Sequence, residues 1–435
     1  MCFGRMFVFF LLLLLLRFTV LQLTLPIVQP EEQQVRFWEK RDWRRRLTSS
    51  RRSGVPLRAK TSKTLNSRSG YMRTRRRLHP GGHFVLVPQH RPRAGTPTNA
   101  SAPMLRFAVV SDTHFWQSTT ARSSFISASD ARAVRDGLLV SESDSVLPLL
   151  LSQLAAFARS GGDFAIHAGD AVCGGASFKQ PAAEFVRSLA SYRQTERRYL
   201  GDWPVFHIPG NHDMHPVEGG TAAWRAAFCS PNATGSGPCK AQDGRVPPSY
   251  RALHAHGWRL LLLDATDGLS ADVDGHGHIG RAQLEWLQAE LDESAAAKEQ
   301  VILVVHQLLA MPNPQPAWLD VREDFVDNRG EVLSLLSNYD HVRLSLHGHV
   351  HANSLTTAHG IPFVSTAAAA EFPMQWREVA IFACEIHLST RSIDPPTAVV
   401  EKSRRRDTRA GRNEIKIGPA IANSIIISTC DWKNR

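Results

Sequence analysis

From Leu105 onward, short apolar runs alternate with longer segments whose apolar residues recur every three to four positions. LRFAVV at 105–110, FAIH at 164–167, VFHI at 205–208, WRLLLL at 258–263, VILVV at 301–305 and VRLSLH at 342–347 read as strands. Apolar runs this short, bounded by polar or glycine punctuation, suit a sheet that is covered on both faces. Residues 143–159 and 181–199 carry the helical period, and 283–291 (QLEWLQAEL) form an amphipathic helix. Strand-rich text follows at 361–366 and 378–387. Strands and helices alternating in this way predict α/β layering.

The stretch 205–215, VFHIPGNHDMH, shows what these strands deliver. An apolar run meets Pro209-Gly210 and then presents Asn211, His212 and Asp213 together. Polar groups placed directly after a buried strand are how an α/β sheet offers chemistry at its carboxyl edge. An isolated NHD would read equally well as a turn cap beside a surface His–Asp pair. Four further strands also end this way, in Asp112/His114, Asp170, His306 and His349/His351.

Outside this body the pattern changes twice. Residues 6–16 form an unbroken apolar run between Arg5 and Arg17, of signal-peptide length and short for a bilayer span. Residues 1–30 are therefore expected to be a signal peptide or signal anchor, although no small-x-small cleavage site is evident. Residues 31–103 are Arg-, Ser- and Pro-rich without periodicity and read as a basic, disordered leader, for targeting, for contact with an acidic surface, or without a role of its own. The text from 397 to 435 is basic, runs on into NSIIISTCDW and matches no element of the predicted domain, 104–396.

Charge then excludes one class of partner. The formal net charge is +11. Residues 36–93 carry about 18 basic and 2 acidic residues, and the C-terminal stretch adds a further basic surplus, so residues 94–400 sum to about −10. An acidic body is not built for a long polyanion, and no specific nucleic-acid partner is expected. Membrane contact is left to the N-terminus. Six cysteines are too few for a disulfide scaffold. Cys229 and Cys239 nevertheless bracket a loop holding the glycosylation sequon at Asn232, and a second sequon lies at Asn99. These features favour the secretory pathway or a membrane anchor.

The strand ends offer carboxylate, imidazole and amide oxygen, with no thiolate among them. Seven or eight such groups exceed the needs of one ion and suit two ions that share a carboxylate, the arrangement that clamps attacking and leaving oxygens in phosphoryl transfer. Water held between them would lose a proton near neutral pH and become the nucleophile. Asp170 suits the shared position because a carboxylate has two oxygens.

The ordered blocks Asp112-Thr113-His114, Gly169-Asp170, Gly210-Asn211-His212-Asp213, His306 and Gly348-His349-Val350-His351 resemble the calcineurin-like metallophosphoesterase superfamily over residues 104–388. The chain is most similar to its class III cyclic nucleotide phosphodiesterase-like branch, which shares the text GRAQLEWLQAEL. The resemblance implies a four-layer αββα sandwich of two mixed β-sheets flanked by helices, with the metals at the sheet edge. It implies one metal held by Asp112, His114, Asp170 and His351, and a second by Asp170, Asn211, His306 and His349. His212 would face the phosphate and stabilise its charge or protonate the leaving oxygen, with Asp213 orienting it. Fe, Mn and Zn all suit these ligands. Purple acid phosphatases carry a ferric-iron tyrosine three residues after the Gly-Asp aspartate. Cys173 stands there instead, which argues against that centre and reads as a small buried residue.

The implied activity is a dinuclear metal-dependent phosphoesterase that cleaves a small phosphodiester, cyclic nucleotide-like or other. A phosphomonoesterase of the same fold and a non-catalytic scaffold are the rivals, the latter weakened because every block is complete. Among the remaining histidines, the pair His276/His278 sits in a Gly/Asp turn, His254 and His256 flank a strand, and His167 and His347 lie in apolar runs as core residues. His215, two residues past Asp213, is a candidate for touching substrate but is not counted among the site residues.

Overall fold

In the buried strands both faces are apolar, so successive residues feed two different cores. The computed structural model describes residues 84–86, 102–116, 143–174, 180–215, 221–229, 249–266, 276–313, 315, 319, 324–409 and 412–430. The first half runs β1 (Phe84–Leu86), β2 (Leu105–Val110), α1 (Ser143–Arg159), β3 (Phe164–His167), α2 (Ala182–Leu200), β4 (Val205–His207), α3 (Ala222–Phe228), β5 (Arg251–Ala255) and β6 (Trp258–Leu262). Then come α4 (Arg281–Ala297), β7 (Gln300–Val304), α5 (Arg329–Leu336), β8 (Val342–His347), β9 (Ser354–Ala358), β10 (Ile361–Ser365), β11 (Gln375–Ile381) and β12 (Glu385–Ser392). The chain closes with α6 (Thr397–Arg409), α7 (Asn413–Ile417), α8 (Ala420–Asn423) and β13 (Ser424–Ser428).

A seven-stranded sheet has the order β1-β5-β6-β7-β8-β10-β9, and a six-stranded sheet the order β13-β12-β11-β2-β3-β4. β2, β3 and β4 are parallel, as are β6, β7 and β8, whereas β11 returns antiparallel to β2. Leu105, Phe107 and Val109 of β2 meet Leu260, Leu262, Ile302 and Val304 of the other sheet in one buried cluster. Their alternates, Ala108 and Val110, pack instead with Leu147, Leu150 and Leu154 of α1 and Phe185 and Leu189 of α2. On the far side Leu261, Val301 and Leu303 pack with Trp286, Leu287 and Leu291 of α4 and Val332 of α5. This is the expected four-layer αββα arrangement of two mixed sheets.

Two boundaries differ from expectation. Residues 84–86, within the stretch read as disordered, form an edge strand parallel to β5. The body also continues past Pro396, because the free edge of β12 is taken by β13, which pairs antiparallel from Glu385↔Ser428 to Ser389↔Ser424. A disulfide joins Cys384, in the β11–β12 turn, to Cys430, just after β13. The apolar run at 6–16, both sequons and Cys239 lie outside the described residues, and Cys229 is buried. No helix among the described residues is long and apolar enough to cross a membrane.

Candidate metal centre

Five parallel strands deliver the predicted ligands to one edge. Asp112 and His114 follow β2, Asp170 follows β3 and Asn211 follows β4, all in the six-stranded sheet. His306 follows β7, and His349 and His351 follow β8, in the seven-stranded sheet. The strands stop because the backbone turns sharply there. Asp112, His114, Asp170, His349 and His351 have φ of 56°, 42°, 57°, 69° and 54°. Left-handed backbone at residues other than glycine is costly and gathers where a site over-determines it. Gly169 and Gly210 make room for the convergence: a Cβ on the first would lie 2.4 Å from His306 Nδ1, and on the second 2.2 Å from Asp170 Oδ1.

The side chains form three overlapping groups, Asp112/His114/His351, His114/Asp170/His212 and Asp170/His306/His349, each with its ligand atoms within 4.8 Å of one another. His351 Nε2 is 3.1 Å from His114 Nε2 and 3.2 Å from Asp112 Oδ1, while His306 Nε2 is 3.1 Å from Asp170 Oδ2. Donors that each sit about 2 Å from one ion lie about 3 Å or slightly more from one another, so these spacings suit a shared ion. Asp112 Oδ1, Asp170 Oδ2, Asn211 Oδ1 and His306 Nε2 are buried and make no hydrogen bond among the described residues. An unsatisfied buried polar atom costs about 1–3 kcal/mol, and four of them aimed into one place fit a bound cation. The residues present therefore fit the implied metals.

Charge across the edge is balanced by the two sheets. Burial raises the Asp112 carboxyl, but the His351, His114 and His306 rings outweigh it and hold it well below the usual carboxylate range. Asp170 is lowered likewise, chiefly by His306 and His212 against its burial. Burial alone would lower His306 and His351. Asp170 beside the first lifts it to about 9, and Glu371 with Asp112 beside the second lifts it to about 10.

The profile of the calcineurin-like phosphoesterase family matches residues 105–353. The chain belongs to that family. It is 30% identical over 172 residues to the 3′,5′-cyclic adenosine monophosphate phosphodiesterase CpdA of Escherichia coli, covering 38% of this chain and 47% of that protein. It is 28% identical over 102 residues to the manganese-dependent ADP-ribose/CDP-alcohol diphosphatase of Arabidopsis thaliana, covering 23% of this chain and 31% of that one. A dimetal phosphatase from Danio rerio superposes with a TM-score of 0.48 at 16% identity, over 67% of this chain and 98% of that structure. The chain spans about half the length, or less, of the curated relatives it matches.

Not every family residue behaves as its block suggests. His212 is half-buried at the site, with its backbone N–H donating to Asp170 Oδ1 at 2.8 Å and its Nδ1 3.0 Å from the Gly174 carbonyl. That carbonyl, and not Asp213, is what orients the ring. Asn211–Asp213 form a 3-10 turn that carries Asp213 inward, where its oxygens accept the N–H groups of Ala171, Val172 and Gly210. Asp213 thus braces the loop, and burial together with neighbouring Asp170 pushes its carboxyl up to about 7.

Three orienting groups escaped the sequence reading. The Ala168 carbonyl lies 2.7 Å from His306 Nδ1, Asp324 Oδ1 lies 3.4 Å from His349 Nε2, and Glu371 Oε2 lies 3.0 Å from His351 Nδ1. Only Glu371 carried a signal, as a lone acid closing the buried run Ala367–Ala370. The other histidines stay away from the edge. His276 pairs with Asp327, His254 with Glu299, and His347 with Gln307 O and Ser345 Oγ. His215, a candidate for touching substrate, is buried with its Nε2 on Gln180 O. Cys173 is fully buried and joins none of the three ligand groups.

Proposed function

We propose that this chain is a metal-dependent phosphoric ester hydrolase that cleaves a small phosphodiester of the cyclic-nucleotide class where the two sheet edges meet. The observation that carries this reading is the set of buried, unsatisfied atoms on Asp112, Asp170, Asn211 and His306, converging with His114, His349 and His351. One ion would be held by Asp112, His114, Asp170 and His351, and the other by Asp170, Asn211, His306 and His349. Bound there, ions of the Mn, Fe or Zn class polarise phosphoryl oxygens and bring the pKa of water toward neutrality. The chain's own residues fix the rest. Asp170 spans the two groups, with His212 N–H and the left-handed backbone holding its carboxylate in place. His212 donates its Nδ1–H to Gly174 O, so Nε2 is the atom that would face the leaving oxygen, and it has a proton to hand over only when the ring is the imidazolium.

The choice of a diester is supported by the similarity to the Escherichia coli phosphodiesterase, and the diphosphatase relative adds a diphosphate ester to the substrates worth testing. The Cys384–Cys430 bond supports an oxidising compartment, in keeping with a secretory or membrane-anchored chain. The test is turnover by the purified full chain of bis-p-nitrophenyl phosphate, 3′,5′-cyclic AMP, ADP-ribose and p-nitrophenyl phosphate, with Mn²⁺ and after chelation, beside Asp170→Asn. Metal-dependent cleavage of diesters over the monoester, lost in the variant, is the expected result. Preference for p-nitrophenyl phosphate would make it a monoesterase, and a folded chain that takes up no metal and cleaves nothing would make it a scaffold.

A further inference from the structure

We infer that the C-terminal segment is part of the metal centre, with Lys416 and Glu371 acting as positioning residues for His351. The inference rests on the metal-centre reading above and adds residues that no family block contains. Glu371 and Lys416 are 3% and 2% exposed, so a full acid and a full base have both been taken out of water. They meet each other, with Lys416 Nζ 2.5 Å from Glu371 Oε2, and the same oxygen lies 3.0 Å from His351 Nδ1. A carboxylate on one ring nitrogen fixes the tautomer and turns the other nitrogen to the metal. A buried carboxylate in that role needs its own charge compensated when the ring is neutral, and Lys416 supplies the compensation.

Around this pair the segment is fastened to the turn that carries His351. Asn353, two residues on, donates its backbone N–H to the Lys416 carbonyl at 3.0 Å and its side-chain amide to the Ile417 carbonyl at 3.3 Å. Gly418 has φ of 73°, and a Cβ there would lie 2.1 Å from Asn353 O, so the two backbones are in direct contact. Arg377, fully buried, donates to Ala422 O in α8, to Asn353 Oδ1 and to Ser365 O at 2.7, 2.9 and 2.8 Å. Beyond α8, β13 and the bond to Cys384 close the segment onto the six-stranded sheet. A stretch that looked like a basic tail is thus anchored at Lys416 and along the chain that follows it.

The test strips metal from the full chain and titrates Co²⁺ into wild type, Glu371→Gln and Lys416→Met, following visible absorption and heat. Wild type should fill two sites. In either variant one binding step should weaken about 10- to 100-fold while the other holds, and the double variant should weaken it no further than the worse single, because the pair acts as one unit. Thermal unfolding of the metal-free variants separates this from folding: a merely structural role lowers the midpoint and leaves both Co²⁺ steps intact, which would overturn the inference. If neither variant folds, Zn²⁺-loaded wild type decides the matter by NMR. A low-field, slowly exchanging His351 Nδ1–H is the expected signal, and its absence overturns the inference. Wild type that takes up no Co²⁺ would overturn the metal-centre reading itself.

Discussion

The six-stranded sheet brings Asp112, Asp170, Asn211 and the imidazoles of His114 and His212 to the site, whereas the seven-stranded sheet brings the imidazoles His306, His349 and His351 and none of the carboxylates of the three groups. The two halves are also held differently. On the first, carboxylates are pinned by backbone: His349 N–H donates to Asp112 Oδ2 at 3.0 Å and His212 N–H to Asp170 Oδ1 at 2.8 Å. On the second, each ring is set by an acceptor behind it, namely Ala168 O, Asp324 or Glu371. The ligand carboxylates therefore come from one sheet and three of the five imidazoles from the other. The group His114/Asp170/His212 lies on the six-stranded half alone, but the other two groups need rings from the seven-stranded half, so the full site exists only while the shared core of Phe107, Val109, Leu260 and Ile302 keeps the sheet edges in register. Bound metal should accordingly raise the unfolding temperature of the whole body.

The sharpest way to break this comparison is at Asp170, the acid common to two ligand groups. Asp170→Asn should lower kcat/KM on a diester by about 10³-fold, the scale of several kcal/mol of charge stabilisation, with less metal retained after gel filtration. His306→Ala, on the seven-stranded half, should cost less, and an equal loss would erase the asymmetry. Next in size is Gly210→Ala. The added methyl must displace Asp170 Oδ1, which lies 2.2 Å away, and the Asp170 backbone N, 2.7 Å away. Overpacking of this kind costs about 1–3 kcal/mol, and activity should fall about 10- to 100-fold with it; steady-state kinetics and a urea melt read the two effects separately.

Within the seven-stranded half the rings are not equally supported. The side chain of Glu371 is 4% exposed behind His351, while that of Asp324 is 20% exposed behind His349. Solvent weakens the second contact. Asp324→Asn should therefore raise the metal dissociation constant about tenfold at most, measured by competition with a chelator. A loss larger than that of Glu371→Gln would reverse the ranking of the two supports.

What could be read in advance follows from how close together the informative residues lie. Asp112, Asp170, Asn211, His306 and His349 each stand within a few positions of an apolar run, and a strand's carboxyl end is a local signal. The four layers were legible for the same reason, since β2, β6 and β7 are apolar on both faces. Asp213 shows the limit of adjacency: it is next to His212 in sequence, yet the intervening 3-10 turn sends the two side chains to different partners. Lys416 shows the limit of distance. Its partner Glu371 is 45 residues away, and no spacing rule links a five-residue helix to an alanine-rich strand exit. SIIIS at Ser424–Ser428 has strand character, but only the unpaired edge of β12 tells where it goes.

The smallest predicted effect lies beneath the six-stranded half. Thr113 Oγ1, between the candidate ligands Asp112 and His114, is 3.0 Å from His167 Nε2; His167 stacks on His207 with centroids 5.2 Å apart; and His207 Nε2 is 2.7 Å from Glu196 Oε2. Burial lowers both rings, with His207 adding to the effect on His167, and Arg193 and Arg251 opposing Glu196 at His207. Glu196 is held below its ordinary value because His207 and Arg193 outweigh its burial. In the unfolded chain the imidazoles protonate near pH 6.5. Below that pH the unfolded state binds more protons than the folded one, so stability falls as the solution is acidified, and Glu196 adds to the loss once its unfolded range is reached. The seven-stranded sheet has counterparts in His347, which burial pushes down to about 4, and in His341 just before β8, which burial also lowers. His207→Gln should thus reduce the stability lost between pH 6.5 and 5, read from urea midpoints at the two pH values. If the slope is unchanged, the acid sensitivity lies with His167, His341 or His347, and His207 does not set the two halves apart.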